Sequence, residues 1–544
     1  MKKQSLPDRV EETADVIVVG FGGAGACAAI AAAEAGADVL VLDRFYGGGA
    51  TEQSGGVVYA GGGTPQQAAA GVEDSPEAME AYLRHEVGGV VSDATLHRFC
   101  QGSTEMLGWL EAHGLEFEGS LCTYKTSYPT NRHYLYYSGN ELVPSYRSAE
   151  YAPAPRGHRV KARNFSGKVF FARLRAAVLA AGARIRPLSE VTGLVVEDGR
   201  VTGVEYRAAT EPGRWHHELL SVATKAQIYH PPTGRRLNRL AARLARPEPA
   251  VRRVRARNGV ILTSGGYAYD EQTMHRHAPA WTGLPVAGTI GDDGAALRLG
   301  AQAGAASDRL EKISGWRFIA PPSAFLRGIV VDGEGRRFTN EQLYGATMTE
   351  PLMEQRGGRG YLIVDRATWL LARAQGREQS AFFHVPQLAW LFGPTGHTRA
   401  ETLPELAAAL GVDADALRAT VAEHDRRITA GEPDELGKAD DVRVRLGTGP
   451  FYAVDLAPHA SMFYPLPFIT LGGLVVDEDT GQVRRPDGSG VPGLYAGGRA
   501  AVGLCSNSYV SGLSLADAVF SGRRAGEAAA SAGSIAHDLR KENA

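Results

Sequence analysis

The chain is poor in cysteine, in net charge and in long apolar runs. Its 544 residues include four cysteines, Cys27, Cys100, Cys122 and Cys505, and none belongs to a CxxC pair. The sequence therefore predicts no disulfide framework, zinc site or iron–sulfur site, and this cysteine usage fits a reducing cytoplasm. The formal net charge of −2 gives no long-range attraction to nucleic acid or to an anionic membrane.

The sequence also shows no signal for membrane insertion or export. No apolar run approaches the ~20 residues that span a bilayer, so stable membrane insertion is not expected. Residues 1–12 are polar and lack an apolar stretch or a twin-arginine pair, so no export signal is predicted. With 44% hydrophobic and 22% charged residues, the composition is typical of a globular protein. The length predicts two or more domains.

Glycine, by contrast, is abundant, and its most ordered cluster follows a strand. An apolar run over 14–19 enters Gly20-Phe21-Gly22-Gly23-Ala24-Gly25, which is a GxGxxG turn. An alanine-rich helix is predicted over 26–35, and a second strand over 37–42 ends at Asp43, 23 residues after Gly20. With 67 glycines in the chain, a lone GxGxxG match carries little weight. The flanking strand, helix, strand and acid give it weight.

Each part of this unit suits a dinucleotide. Gly20 permits the tight turn, Gly22 lets the backbone approach a pyrophosphate, and Gly25 lets helix and strand pack closely. The helix N-terminus offers unpaired N–H groups to phosphates, and Asp43 can accept hydrogen bonds from a ribose. The unit therefore predicts a site for FAD or NAD.

Two later segments leave alternatives open. Residues 121–151 carry seven of the twenty tyrosines, which either line a mostly apolar pocket with hydroxyls or pack on the surface. Residues 207–257 carry eleven arginines against three glutamates without the interleaved aromatics of a nucleic-acid surface. We expect a solvated insertion there, with docking to an anionic partner as the alternative.

The overall pattern predicts one domain inserted in another. Apolar strands that run into glycines occur at 259–266 and again at 470–473 and 493–498. Between about 306 and 460, the pattern is one of mixed strands and helices with many prolines and aromatic residues. We therefore expect a dinucleotide-binding domain formed by 1–305 and 460–544, with a second domain over 306–459. A last helix is predicted over 514–530, with Ser514 as its N-cap and Asp517 completing a capping box.

Eight motifs in order resemble a known superfamily. They are GFGGAGACAAI (20–30), SGGVVYAGGG (54–63), TSGG (263–266), GDDG (291–294), RRFTNEQLYGA (336–346), TLGGLVVD (470–477), GLYAGGR (493–499) and SYVSGLSLADAVFSGRRAG (508–526). Together they resemble the fumarate reductase/succinate dehydrogenase flavoproteins, and within these the FAD-dependent 3-ketosteroid Δ4-(5α)-dehydrogenase type. The resemblance implies an α/β fold, with a Rossmann-like, glutathione-reductase-like FAD-binding domain and an inserted α+β catalytic cap.

The resemblance also implies a set of cofactor contacts. We expect FAD at Gly20, Gly22, Gly23, Ala24, Gly25, Asp43, Arg44, Thr51, Ser54, Gly55, Gly56, Val191, Ser264, Asp293, Arg499, Ser514 and Leu515. Arg499 departs from the respiratory members, which have glutamate there. No histidine stands at 50–56, where succinate dehydrogenases attach FAD, so noncovalent binding is expected.

Departures near the cap favour an apolar ketone as substrate. Tyr344 lies in the region where fumarate reductases keep a proton-donating arginine, and 467–470 lacks their histidine. We expect desaturation next to a ketone, as in 3-ketosteroid 4,5-dehydrogenation, with the electrons passing to an acceptor that the sequence does not specify. Tyr344, Tyr509 and Ser511 are the candidates for the proton path, through a hydroxyl relay or a tyrosine of lowered pKa. Backbone N–H groups near Gly472 or Gly512 are expected to polarise the ketone.

Two other functions stay open at this stage. One is a flavin-dependent ene-reductase for an unsaturated acid or enone, because the same site runs the reaction backward. The other is a noncatalytic FAD electron carrier that docks through 207–257. No metal is expected.

Overall fold

The computed structural model describes residues 12–210, 215–245 and 247–542, without the side chains of 533–542. An eight-stranded sheet forms its centre. Six strands follow in spatial order: Gln482–Arg484, Gly490–Ala496, Arg252–Leu262, Glu12–Val19, Val39–Leu42 and Arg184–Arg186. The hairpin Ser189–Glu197 and Arg200–Ala208 joins the sheet antiparallel to Arg252–Leu262. The α/β class is confirmed.

Four of the strand pairings are parallel, and Glu12–Val19, Val39–Leu42 and the second half of Arg252–Leu262 are largely buried, which explains the unbroken apolar runs in the sequence. The helix Gly23–Glu34 follows the first strand and packs against the last helix, Leu513–Glu542. Glycines make this approach close. A Cβ on Gly526 would lie 2.3 Å from the Ala28 carbonyl oxygen, and one on Gly522 would lie 2.5 Å from that of Ala24.

A four-stranded sheet lies over the end of the cofactor unit. Its strands, in spatial order, are Val57–Tyr59, Gly157–Arg159, Leu135–Tyr136 and Leu121–Cys122. Three helices follow the glycine-rich loop, Pro76–Val87, Asp93–Gln101 and Ser103–Ala112. The tyrosine-rich segment therefore enters the body of the molecule, and Tyr128, Tyr134 and Tyr136 are buried.

Residues 306–459 contain an antiparallel sheet of their own. Its strands, in spatial order, are Ile329–Asp332, Gly360–Val364, Phe451–Asp455 and Thr398–Ala400. Its helices are Gly345–Glu354, Arg366–Gln379, His384–Leu391, Leu403–Leu410 and Ala414–Ala430. Two short antiparallel strand pairs lie where the chain enters and leaves this region. They are Ile313–Gly315 with Phe468–Thr470, and Ser307–Asp308 with Gly473–Leu474. The domain limits at 305 and 459 stay a prediction.

The remaining helices connect these layers. The α-helices are Gly49–Gln53, Pro65–Ala69, Gly167–Ala180, Trp215–Tyr229, Pro231–Leu244, Glu271–His277 and Ala295–Gln302. Short 3₁₀ turns occupy Pro144–Tyr146, Pro279–Trp281, Ser323–Arg327, Arg356–Gly358, Asp440–Val442 and Gly498–Ala500. In the described part of the chain, no helix combines the length and apolar character that a membrane crossing needs.

One expectation about the last helix is wrong. The helix begins at Leu513, so Ser514 lies inside its first turn rather than at the N-cap. Asp517 is buried and lies within 3.5 Å of the Cys505 thiol. Burial raises the pKa of Asp517 to about 6. The carboxyl group thus faces the loop before the helix.

Candidate active site

One cavity runs between the Asp43 loop and the last helix. Its wall includes the GxGxxG turn, the loop that begins with the 49–53 helix, the 289–293 turn and the start of the C-terminal helix. Fourteen of the expected cofactor residues line it: Gly20, Gly22, Gly23, Ala24, Asp43, Arg44, Thr51, Ser54, Val191, Ser264, Asp293, Arg499, Ser514 and Leu515. Asp43 and Tyr509 line the same cavity, so a ligand can reach from the ribose position to the tyrosine.

The glycine turn has the shape that a pyrophosphate requires. Gly20 has a φ of +99° and lies against the Thr263–Ser264 backbone, where a Cβ would come within 2.7 Å. At Gly22 an added Cβ would meet nothing closer than the Thr51 hydroxyl, at 3.7 Å, so this backbone is open to the cavity. Gly25 lies outside the lining and packs against Gly20, because its Cβ would lie 2.0 Å from the Gly20 carbonyl oxygen.

Two other expected contacts also lie outside the cavity. A Cβ on Gly55 would meet the Tyr128 ring at 2.6 Å, and one on Gly56, whose φ is +63°, would meet the Ser166 backbone at 2.6 Å. Both glycines thus allow close packing of the loop against its neighbours. The cavity wall in this loop ends at Ser54.

Polar groups along the wall fit FAD. Asp43 already accepts hydrogen bonds from the backbone of Phe21, at 2.8 Å, and Phe45, at 2.7 Å, which fixes its carboxylate at the end of the second strand. The Ser264 hydroxyl is buried in the wall and has no hydrogen-bond partner among the described residues. A buried hydroxyl of this kind is normally satisfied, so a polar ligand atom suits it.

Two arginines of the wall are paired with aspartates. Arg44 donates to Asp293 at 2.7 Å. Arg499 donates to Asp292 at 2.7 Å, and the same carboxylate oxygen accepts from the Gly266 backbone at 2.9 Å. Arg499, which departs from the respiratory pattern, thus has its charge balanced by a neighbouring aspartate that sequence reasoning did not single out.

Beside the cavity lies a cluster of four hydroxyl side chains. The Tyr136 hydroxyl and the Ser511 Oγ are 2.8 Å apart, and Tyr344 lies close to Ser511, Tyr136 and Tyr509. Tyr509 stacks on Trp316 with ring centroids 5.3 Å apart, and both line the cavity. The structure therefore brings the three expected catalytic residues together and adds Tyr136.

Burial keeps these phenols protonated. Loss of solvent raises the pKa of Tyr136 and of Tyr344 well above the ordinary value. The pKa of Tyr509 is raised for the same reason. The direction of these pKa shifts favours the hydroxyl relay over a tyrosine of lowered pKa, and the relay stays a prediction.

A small cavity on the other side of Tyr344 is mostly apolar. Its wall includes Phe318, Ile319, Ala320, Leu326 and Leu343, together with Lys125. The Lys125 ammonium donates to the Gly139 carbonyl and lies 5.9 Å from the centre of the Tyr344 ring. This lysine is a cation that sequence reasoning did not expect near the site.

The two backbone groups expected to polarise a ketone are placed differently. Gly472 lies outside the cavity lining and against the Asp308–Arg309 backbone, where a Cβ would lie 2.2 Å from the Arg309 carbonyl oxygen. Gly512 follows Ser511 directly, and its carbonyl oxygen accepts a hydrogen bond from the Tyr59 backbone N–H at 3.1 Å. It does not line the cofactor cavity.

A buried carboxylate connects the segments that carry the hydroxyls. Glu86 accepts hydrogen bonds from Tyr82 at 2.7 Å, from Asn140 at 2.7 Å and from Ser508 at 3.0 Å. Asn140 in turn accepts from the Tyr344 backbone N–H at 2.6 Å. Glu86 thereby ties the 508–511 loop to the segment before Tyr344, a role that nothing in the local sequence indicated.

The expectation for the basic tract is wrong in part. The helix Trp215–Tyr229 is not simply solvated, because four of its residues, His217, Leu220, Ser221 and Thr224, line the cofactor cavity. Arg252, Arg253, Arg255 and Arg257 lie on a strand and pair with acidic groups of neighbouring residues.

These features define a dinucleotide-binding flavoprotein. The FAD binding domain family model matches residues 15–514, and the chain belongs to that family. It is 41% identical over 513 residues to the 3-oxo-5-alpha-steroid 4-dehydrogenase of Comamonas testosteroni, covering 90% of this chain and 92% of that one.

Solved structures agree with this. The 3-ketosteroid-delta4-(5alpha)-dehydrogenase of Rhodococcus jostii, in complex with 4-androstene-3,17-dione, matches with a TM-score of 0.80 and 30% identity, over 96% of this chain and 98% of that one. A flavocytochrome c3 fumarate reductase shares the fold alone, with a TM-score of 0.62 and 22% identity over 96% of this chain and 79% of that one.

Proposed function

We propose that this enzyme introduces a double bond between C4 and C5 of a saturated 3-keto-5α-steroid. The observation that carries the proposal is the group of protonated hydroxyls beside the cofactor cavity, where a dicarboxylate enzyme needs cations. Relatives with steroid 4-dehydrogenase activity, similar over nearly the whole chain, support it.

The chemistry needs one group that accepts a hydride and one that accepts a proton. FAD, when bound, supplies the hydride acceptor. The ketone acidifies the hydrogen on the neighbouring carbon, so that this hydrogen leaves as a proton. Ser511 accepts it while its own proton passes to the Tyr136 oxygen, 2.8 Å away. The phenol releases its own proton at the same time, to the neighbouring Tyr344 hydroxyl or to water, so that each hydroxyl stays neutral and the net proton leaves to solvent. The relay spreads the transfer over groups that are poor bases individually.

Tyr509 has a different task. Its hydroxyl is protonated, its ring is fixed against Trp316, and it lines the cofactor cavity. A protonated phenol donates a hydrogen bond, so Tyr509 stabilises the negative charge that develops on the ketone oxygen.

The cations near the site are already engaged. Arg317 is buried and donates to the carbonyl oxygens of Tyr464, at 2.6 Å, and Ala457, at 2.8 Å. Lys125 donates to Gly139 and Arg499 pairs with Asp292. These interactions leave an apolar surface for a ring system rather than clamps for a small dianion.

Steady-state assays of the holoenzyme test the proposal. With an artificial electron acceptor, we expect turnover of a saturated 5α-3-ketosteroid and none of succinate. With a reduced electron donor, we expect no reduction of fumarate. Fumarate reduction without steroid turnover would favour the ene-reductase, and no turnover in either direction would favour the electron carrier.

Single substitutions test the roles. Tyr509→Phe and Tyr344→Phe each remove one hydroxyl, and we expect turnover to fall by roughly 10²–10⁴. Tyr134→Phe is the matched control, because its hydroxyl donates to the Ala162 carbonyl at 3.3 Å, away from the Ser511 cluster. Near wild-type turnover of either active-site variant would remove that residue from the mechanism.

A reducing, cytoplasmic location belongs to the same proposal. All four cysteines are buried and free, which is the state that a reducing compartment maintains.

A further inference from the structure

The helices Trp215–Tyr229 and Pro231–Leu244 of the basic tract form a helical hairpin, which contributes a face to the cofactor cavity. Its first helix, Trp215–Tyr229, places His217, Leu220, Ser221 and Thr224 in the wall. These positions are spaced i, i+3, i+4 and i+7, so they share one side of the helix. A whole helix face, rather than a single side chain, therefore lies against the cavity.

The helix is also fastened to the loop that follows Asp43. His216 Nδ1 lies 3.3 Å from the Tyr46 hydroxyl, and the Tyr46 ring lies edge-on to His217 with centroids 5.5 Å apart. His217 Nε2 is 3.5 Å from the Glu52 carboxylate. Since Tyr46 and Glu52 lie just beyond Asp43 in the chain, these contacts place the helix at the ribose end of the cavity.

The second helix holds the first in place. A Cβ on Gly234 would lie 2.4 Å from the Gln227 backbone, so the two helices of the hairpin touch closely. His216 is fully buried between them, and its Nε2 lies 2.8 Å from the Ala241 carbonyl oxygen. The hairpin is thus a packed unit with a defined inner face.

We propose that the hairpin 215–244 is part of the FAD site and covers the adenosine half of the cofactor. Leu220 supplies apolar contact to the adenosine, and Ser221 and His217 supply polar contact, while the glycine turn binds the pyrophosphate. The chain has no histidine for a covalent link at 50–56, and the hairpin slows the loss of a cofactor that is held by contacts alone. This inference rests on the FAD assignment and is independent of the steroid reaction.

The exposed side of the same helix provides a matched control. Glu218, Val222 and Lys225 are exposed and none lines the cavity. They occupy the same three turns as the inner residues. Alanine substitution on either side preserves helix propensity, because alanine is the best helix former.

The test compares the rate of FAD release from two triple variants of the holoenzyme. Protein is diluted, and released flavin is followed by fluorescence and by gel filtration. For L220A/S221A/T224A we expect release at least ~10-fold faster than wild type, the factor that corresponds to loss of one buried aliphatic side chain. For E218A/V222A/K225A we expect a rate within about twofold of wild type, since exposed positions contribute little.

Hydrogen exchange of the wild-type protein tests the same point without substitutions. We expect the amides of 215–229 to exchange more slowly in the FAD-loaded protein than in the apoprotein, along with those of the glycine turn. Wild-type release from the inner-face variant would overturn the proposal. Equal exchange of 215–229 with and without FAD would overturn it as well, even if the inner-face variant failed to fold.

Discussion

Tyr136 and Ser511 share a hydrogen bond although 375 positions separate them in the chain. Tyr136 comes from a short strand of the tyrosine-rich segment, whereas Ser511 comes from the loop before the last helix. Their meeting gives the serine a hydrogen-bond partner, and Tyr344 lies close by. Proton transfer at this site thus depends on the relative positions of three chain segments, those that carry Tyr136, Tyr344 and Ser511.

Removal of the Tyr136 hydroxyl should slow turnover without loss of cofactor. We expect Tyr136→Phe to lower kcat about tenfold, the factor that corresponds to one neutral hydrogen bond, and to leave the FAD content unchanged. Tyr128→Phe is a control in the same segment, because its hydroxyl bonds the Gly55 and Asn164 carbonyls instead. A Tyr136→Phe enzyme as fast as wild type would show that the Tyr136 hydroxyl takes no part in the proton relay.

Glu86 should act on rate rather than on affinity. Glu86→Gln keeps the shape but replaces one acceptor oxygen with a donor that faces Ser508 or Asn140. Since those residues position Tyr509 and Tyr344, we expect kcat to fall about tenfold while KM for the steroid stays within a factor of two. Glu77→Gln, on the exposed side of the same helix, should leave both constants unchanged. A raised KM with unchanged kcat would contradict this role.

Residues in motifs could be placed from the sequence, whereas their partners could not. Tyr344, Tyr509 and Ser511 lie within motifs of the superfamily, and the structure brings them together. Tyr136 stood among seven similar tyrosines, and local sequence does not say which of them faces the site. Glu86 looked like an ordinary helix residue, because its function arises from contacts with segments far along the chain.

The contact between the first and last helices sets the position of the glycine turn. Gly526→Ala would place a Cβ 2.3 Å from the Ala28 carbonyl oxygen, and we expect a loss of roughly 1–3 kcal/mol in unfolding free energy from this overpacking. Gly108→Ala is the matched control, because Gly108 is exposed in a helix with open space around its Cβ position. There we expect a gain of about 0.5–1 kcal/mol. Urea unfolding measures both, and equal shifts in the two variants would refute this account of the helix contact.

A buried histidine should make the cap sensitive to acid. His384 Nδ1 accepts from the Ala381 N–H at 3.1 Å, its Nε2 lies 2.9 Å from the Ser127 hydroxyl, and burial lowers its pKa from 6.5 to about 3. Because the folded-state pKa lies below the unfolded one, the stability it contributes is complete above pH 6.5 and is lost as the pH falls toward 3. Between pH 7 and 4 we expect wild type to lose about 3 kcal/mol more than His384→Gln. The free energy of unfolding of both proteins is measured in urea at each pH. An equal loss in the two proteins between pH 7 and 4 would contradict this role of His384.

The local sequence pattern was sufficient to predict those helices, strands and turns whose structure is decided by hydrophobic periodicity and by the position of glycines. The first strand, the turn and the following helix lie close to where the sequence placed them. The basic tract was misread, because its composition indicates exposure whereas its inner helix face is decided by a cavity built from distant segments. The start of the last helix shifted by one position, since Ser514 has the composition of an N-cap but Leu513 is already helical.

The whole molecule is organised around a sheet assembled from both parts of the chain. The strand Arg252–Leu262 of the first part pairs with Gly490–Ala496, and the segment between them carries the antiparallel sheet and Tyr344. This arrangement brings the cofactor turn, the tyrosine-rich segment and the cap loop to one place. The sequence could indicate the insertion through its returning glycine motifs, but not the side-chain network that crosses the boundary.

Cofactor attachment can be checked on the intact protein. Because no histidine stands at 50–56, acid precipitation of the holoenzyme should leave the yellow flavin in the supernatant. A precipitate that keeps its flavin would show a covalent link and contradict the expectation of noncovalent FAD.

Anaerobic titration of the purified holoenzyme with saturated 5α-androstane-3,17-dione tests the central claim most directly. A bound flavin next to protonated hydroxyls should bleach with one equivalent of steroid, and the conjugated enone should appear in the same amount. Succinate should leave the flavin spectrum unchanged. A flavin that stays oxidised with the steroid, or that bleaches with succinate, would contradict the account.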